Sequence, residues 1–180
     1  MKRALWIIPA ILLLSISARA QDMSAWEITG GYSYLRADIN GSNFSLNGGG
    51  ASATQNVNNW FGGRFELNAY HGVEAGTTVA AQTFTWGPVF SYRHFKTFNP
   101  YTHFQLGAVH ASEGYLGISQ SAFKFAMVGG AGVDVRVNRY ASVRVQADYL
   151  LTRFLGLNQN NIQGSVGLVL HFGKKSNPGL

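Results

Sequence analysis

The stretch Ile162-Gln163-Gly164-Ser165-Val166-Gly167-Leu168-Val169-Leu170-His171-Phe172 decides the fold. Successive side chains of a β-strand point to opposite faces. Ile162, Gly164, Val166, Leu168, Leu170 and Phe172 therefore share one face, which is apolar and ends in an aromatic ring. Gln163, Ser165, Gly167, Val169 and His171 share the other, which is mostly small or polar. In a soluble sandwich the apolar face meets a core. In an outer-membrane barrel it meets lipid, and the small or polar face lines the lumen. The remainder of the chain favours the barrel.

Seven earlier segments alternate in the same way. They are about Trp26–Arg36, Gly49–Asn56, Trp60–Tyr70, Gln82–Arg93, Pro100–Ala111, Ser121–Arg136 and Ala141–Phe154. The second is the weakest, small and polar on both faces. The seventh is the clearest, with Val143, Val145, Ala147, Tyr149 and Leu151 against Ser142, Arg144, Gln146, Asp148 and Thr152. Pro88 removes one ladder donor, so a bulge or irregular pairing is expected there. Short turns follow segments two, four and six. The stretches at about 37–47, 71–81, 112–119 and 155–161 read as longer loops, the first of them polar and rich in Gly and Asn. An even number of antiparallel strands with short periplasmic turns and longer outer loops is the outer-membrane pattern. The expected fold is all-β: one eight-stranded antiparallel up-and-down transmembrane β-barrel. A lipocalin-type barrel would turn its apolar face inward, whereas here the face opposite the apolar one carries many of the charges.

The N-terminus reads as a secretory signal peptide over residues 1–20. Lys2 and Arg3 precede the apolar run Leu5–Ile16, and Ala18-Arg19-Ala20 supplies a small-residue cleavage site. The run falls short of the about 20 residues a spanning helix needs. The expected domains are the signal peptide at 1–20, the barrel at 21–173 and a short tail at 174–180. Losing Lys2, Arg3 and Arg19 leaves 11 basic residues against 8 acidic ones. No basic run exceeds Lys174-Lys175, so nucleic acid is not an expected partner. The chain has no cysteine, which removes thiolate and disulfide chemistry.

The segments N-N-W-F-G-G-R-F-E-L-N-A-Y (58–70), T-W-G-P-V-F-S-Y-R (85–93), N-P-Y-T-H-F-Q-L-G-A (99–108) and V-R-V-Q-A-D-Y-L-L-T-R-F (143–154) resemble the bacterial outer-membrane β-barrel family. The likeness is to the OmpA-like and opacity-like transmembrane barrel domain, without the peptidoglycan-binding domain of the longer members. The closing L-V-L-H-F resembles the family's signal for the barrel-assembly machinery, here followed by residues 173–180. The resemblance implies export to the bacterial outer membrane and a monomer. Its implied partners are outer-membrane lipid, lipopolysaccharide and, during biogenesis, the assembly machinery. It names no loop ligand.

Inward parity gathers Glu27, Arg64, Glu66, Lys124, Asp134, Arg136, Arg144 and Asp148 as a lumen charge network, with Arg93 at the periplasmic rim. Unpaired buried charge is expensive, so these groups are expected to pair and plug the narrow lumen. Arg64, Glu66, Arg144 and Asp148 are expected to form one central cluster. The expected role of a barrel so plugged is structural or surface-interaction, displaying its loops; a small-solute or ion pore is the alternative. Outward parity and ring chemistry nominate Trp26, Tyr34, Phe61, Trp86, Tyr92, Tyr149 and Phe172 as girdle aromatics. No catalytic, cofactor or metal site is expected. The five histidines lack H-x-x-x-H spacing and read as isolated polar or interfacial residues. A lipid-modifying trio of Ser165, His171 and Asp148 is a weaker alternative. Gly129-Gly130-Ala131-Gly132 lies mid-strand, not before a helix, and so is no phosphate loop.

Overall fold

Alternation carries through eight long strands that close on themselves. The structure, a computed structural model, describes residues 23–39, 42–74, 77–115, 118–154 and 157–175. The strands are β1 (Met23–Ile39), β2 (Ser42–Asn56), β3 (Phe61–Glu74), β4 (Thr77–Ser91), β5 (Phe98–Tyr115), β6 (Ile118–Arg136), β7 (Ala141–Phe154) and β8 (Leu157–Lys175). Each pairs antiparallel with its sequence neighbours, and β1 pairs with β8 to close the barrel. Among the described residues no helix is long and apolar enough to cross a membrane. The expected leader at 1–20 lies outside the described residues.

Stepping across register partners from Pro100 leads through Val133, Val145, Val166, Tyr32, Gly49, Ala69 and Gln82 back to β5 at His110. The circuit climbs ten residues in eight strands. With about 3.3 Å rise per residue and about 4.8 Å between strands, that stagger tilts the strands by about 40°. Each residue then advances about 2.5 Å along the barrel axis. An apolar band about 25 Å tall takes up about ten residues, so the 19 residues of β6 and of β8 extend well beyond it.

The four stretches expected as loops are mostly strand. Ile39 pairs with Ser42, Glu74 with Thr77, Tyr115 with Ile118 and Phe154 with Leu157. Each connection at that end therefore spans two residues, and each of the four is an X-Gly dipeptide. Polar turn-forming residues fill the strand tips because solvated antiparallel pairs tolerate them. The last strand likewise runs past the expected boundary at 173, pairing Lys174 with Ser24 and Lys175 with Met23. At Pro88 the β4–β5 ladder lapses between Trp86 and Val89, but the register continues unchanged.

The opposite end has real turns. In two of them an asparagine side chain replaces missing ladder partners. Asn58 Oδ1 accepts from the amides of Trp60 and Phe61, at 3.0 and 2.8 Å. Asn138 Oδ1 accepts from those of Tyr140 and Ala141, at 2.7 and 2.9 Å.

These turns belong to a repeat of 80 residues. Adding 80 carries every β2–β3 and β3–β4 register pair onto a β6–β7 or β7–β8 position, for example Gly50↔Asn68 onto Gly130↔Asp148 and Arg64↔Gly87 onto Arg144↔Gly167. Side-chain contacts follow. Arg64 Nε donates to Thr54 Oγ1, and Arg144 Nε donates to Asp134 Oδ1. A Cβ at Gly50 would fall 1.8 Å from Asn68 Oδ1, and one at Gly130 would fall 1.9 Å from Asp148 Oδ1. The missing side chains make room for their neighbours.

Candidate functional site

The lumen is the place where charge, polarity and burial converge, and it is stacked in three levels. At the short-turn end Glu27 of β1 is 3% exposed. Its Oε1 accepts from Arg93 Nη2 at 2.9 Å and from Asn56 Nδ2 at 2.8 Å. Ser24 Oγ adds a third bond at 3.2 Å. Arg93 also donates to Asn56 Oδ1. His171 lies alongside, with Nε2 2.8 Å from Ser142 Oγ and Nδ1 3.3 Å from Ser24 Oγ.

The middle level hangs on Arg144. Its Nε and Nη2 donate to the two carboxylate oxygens of Asp134 at 2.6 and 2.7 Å, a bidentate pair. Nη2 also reaches Glu27 Oε2 at 3.3 Å, which joins the two levels. The guanidinium carbons of Arg144 and Arg64 each lie 4.7 Å from the centroid of the Tyr101 ring, within cation–π range. Arg64 Nη1 and Tyr101 Oη both donate to Gln146 Oε1, at 3.0 and 2.5 Å. Gln146 Nε2 passes a bond on to Asp148 Oδ2 at 2.7 Å, and His103 Nε2 meets Asp148 Oδ1 at 2.8 Å.

The third level, toward the X-Gly connections, is apolar. Leu35, Leu46, Tyr70, Val79, Val109, Val128 and Leu150 are buried there with Ala37, Ala81 and Ala126 as one cluster. They share the inward parity of the charged residues nearer the other end. The lumen is thus charged in one half and mostly apolar in the other, where Thr83, Thr152 and Asn161 are buried beside the cluster.

The expected charge network divides accordingly. Glu27, Arg64, Glu66, Asp134, Arg144 and Asp148 are all buried inward. Arg136 is instead exposed, at the last position of β6, where the strand leaves the lumen for the rim. Lys124 is half-buried opposite Val109, ten residues along β6 from Asp134. The expected single cluster of Arg64, Glu66, Arg144 and Asp148 is also corrected. Arg64 reaches Asp148 only through Gln146. Arg144 turns to Asp134 and Glu27. Glu66 accepts from Asn68 Nδ2 at 3.0 Å and forms no ion pair among the described residues. A gap separates Glu66 from Arg144 because Gly50, Gly31 and Gly167 sit side by side in register. The resulting cavity, about 30 Å³, is lined by Glu66, Asn68, Arg144 and Gln146. It has room for a water or two.

Asn56, His103 and Tyr101 are lumen residues that escaped the expected set. His103 and Tyr101 share inward parity on β5, and that parity alone could have flagged both. The Ser165–His171–Asp148 trio does not assemble, since His171 bonds Ser142 and Asp148 bonds His103. Among the described residues no group of histidines and acids could hold a metal.

Outside, the aromatics form a dense belt at the short-turn end. Trp26 and Phe172 are register partners. Phe61, Phe90 and Trp60 touch with centroids 5.5 to 6.1 Å apart. Tyr92, Phe95 and Phe98 continue the belt. Tyr34 and Tyr149 face outward farther toward the other end. Trp86, 65% exposed, stands four residues from Phe90 and so falls between the two levels.

Comparison with known proteins matches this geometry. The outer membrane protein beta-barrel domain family matches over residues 7–172. Neisserial surface protein A superposes with a TM-score of 0.74 at 14% identity, covering 83% of this chain and 98% of that one. Ail, the attachment invasion locus protein of Yersinia pestis, gives 0.61 at 20% identity, covering 83% and 99%. The N-terminal β-barrel domain of Pseudomonas aeruginosa OprF gives 0.63 at 14% identity, covering 84% and 100%. These identities speak to fold alone. No curated protein matches the sequence.

Proposed function

The chain belongs to the outer membrane protein β-barrel family, and from that premise we propose that it is a closed, non-conducting barrel with a structural or surface-interaction role. Export by the signal peptide at 1–20 delivers it to the bacterial outer membrane as a monomer. The barrel-assembly machinery inserts it among phospholipid and lipopolysaccharide, with the short turns and both termini in the periplasm. The single observation that supports closure is the two-level seal across the lumen. Bonded charges around Arg144 occupy one half, and the apolar cluster around Leu46, Val128 and Leu150 occupies the other. An ion crossing this path would have to break a buried bidentate pair and then shed water against aliphatic side chains, both costly steps. The reading includes no catalysis. What the barrel presents outward is the rim of its extended strands rather than long loops.

The test is conductance in planar bilayers after reconstitution. The wild-type barrel should give no steady channel. Leu46→Ser with Leu150→Ser, which wets the apolar level, should raise leak current. A large, steady wild-type conductance would overturn the plug and establish the pore. Fractionation with outer membranes and heat-modifiable migration should accompany a negative conductance result, since closed barrels keep every backbone group bonded. Recovery as a soluble periplasmic protein would overturn the membrane placement.

A further inference from the structure

The short-turn rim carries cations that the lumen does not use. Lys96, Arg136 and Arg139 are exposed, and none forms an ion pair among the described residues. The two acids nearest this end, Glu27 and Asp134, are buried and already bonded to Arg93 and Arg144. No exposed acidic side chain stands at this end among the described residues. Strand β8 finishes here as well, at Lys174-Lys175. At the far end, by contrast, residues of both signs occur along the strand tips, Asp38, Glu74 and Glu113 with Arg36 and Arg153.

Two of the rim cations are interleaved with the aromatic belt, and Arg136 joins the turn that carries Lys96, its amide donating to Thr97 O at 2.7 Å. Arg139 Cζ lies 4.5 Å over the Tyr140 ring, and Tyr140 is itself exposed at the turn. Lys96 follows Phe95, which stacks on Phe98 at 4.3 Å. Aromatic rings of this kind settle at the boundary between acyl chains and headgroups. A cation one residue away then sits at the depth of the phosphates. Basic residues in such positions favour anionic lipid.

We infer that this rim binds anionic phospholipid headgroups of the bilayer leaflet at its own end, with the glycerophosphate phosphate taken by Lys96, Arg136 and Arg139. The inference rests on the membrane placement proposed above, and it assigns the leaflet from the periplasmic position of the short turns.

The experiment reconstitutes the full barrel in bilayer discs of phosphatidylcholine with a minor share of phosphatidylglycerol and counts retained lipids by native mass spectrometry. The wild type should retain phosphatidylglycerol above its share of the bilayer. Lys96→Gln, Arg136→Gln and Arg139→Gln together should abolish the enrichment, each cation contributing up to about fivefold in relative affinity. Arg36→Gln, at the opposite end, should leave the enrichment intact and so controls for loss of a cation elsewhere on the barrel. Equal retention by the triple variant and the wild type would overturn the inference. So would equal loss in the Arg36→Gln control. Binding of the wild type to isolated cell-wall sacculi, lost in the triple variant and unaccompanied by lipid enrichment, would overturn it in favour of a peptidoglycan contact. Leaflet is read separately, since the chain has no native cysteine. An impermeant maleimide should spare Arg139→Cys in intact cells. Labelling there would overturn the periplasmic assignment while the lipid counts still report on the headgroup site.

Discussion

Arg144→Met should be the most damaging single substitution in the lumen. The methionine keeps much of the bulk and removes the charge and all the donors. Asp134 loses two charge-assisted bonds, at 2.6 and 2.7 Å, and keeps no cation. Glu27 loses a weaker one at 3.3 Å but retains Arg93. Two hydrogen bonds to charged groups are worth about 3–6 kcal/mol together, and breaking a buried pair costs about 3–5 kcal/mol. We expect about 4 kcal/mol, roughly a thousandfold in the folding equilibrium. Reversible urea refolding into lipid vesicles measures it, read by tryptophan fluorescence and heat-modifiable migration. The decisive arm is a double-mutant cycle. Asp134→Asn in the Arg144→Met background removes the stranded carboxylate and should recover about 2–3 kcal/mol, because replacing both partners of a buried pair is far milder than removing one. If the two substitutions add within about 0.5 kcal/mol, they do not interact, and the argument that this pair anchors the lumen is wrong.

Gly130→Ala should destabilise by about 1–3 kcal/mol, because its Cβ would meet Asp148 Oδ1 at 1.9 Å and Ala147 O at 2.7 Å, whereas Gly129→Ala meets nothing within 4 Å and should stay within about 0.5 kcal/mol. Equal effects in the same refolding titration would mean the two faces are misassigned. Leu168→Arg places a cation on the outward face and should cost about 2–4 kcal/mol if mid-membrane, far more than Ser165→Arg on the inward face; equal tolerance would contradict lipid contact at Leu168. Asn58→Ala and Asn138→Ala each remove one acceptor from two turn amides, and each should cost about 1 kcal/mol. Unequal losses, measured by urea midpoint, would show that the equivalent turns do not bear equivalent load.

Facing was legible in the sequence because lipid and lumen impose opposite chemistry on neighbouring positions. Arg64, Glu66, Arg144 and Asp148 all stand inward for that reason. Strand length was less legible. Residues 42–48, for instance, read as loop because Asn, Ser and Gly suit turns. Those residue types sit equally well in a ladder that meets water on its outer side. The inward apolar level was hidden by the same logic in reverse. Leu35 and Leu46 break the polar-in rule, and nothing in a single strand shows that eight other residues break it in the same half of the barrel. The 80-residue repeat was hidden too. Its identities are sparse: Gly50 with Gly130 and Arg64 with Arg144 lie on the lumen face, where spatial fit fixes them, Asn58 with Asn138 lies in a turn, and Ala51 with Ala131 faces outward. Partner choice within the lumen was not legible, because Arg144 could reach several carboxylates, and the stagger of the strands decides which.

The paired strand tips restrict how this protein can change over time. Adding one residue inside a ladder moves every following side chain to the opposite face, so β5 and β6 cannot lengthen singly without exchanging lumen and exterior. The four X-Gly connections escape that constraint, since extra residues there leave all eight registers as they are. Change in chain length is therefore channelled to four points at one end of the barrel. The same four points are sites at which a foreign peptide can be spliced in with all eight strand registers undisturbed.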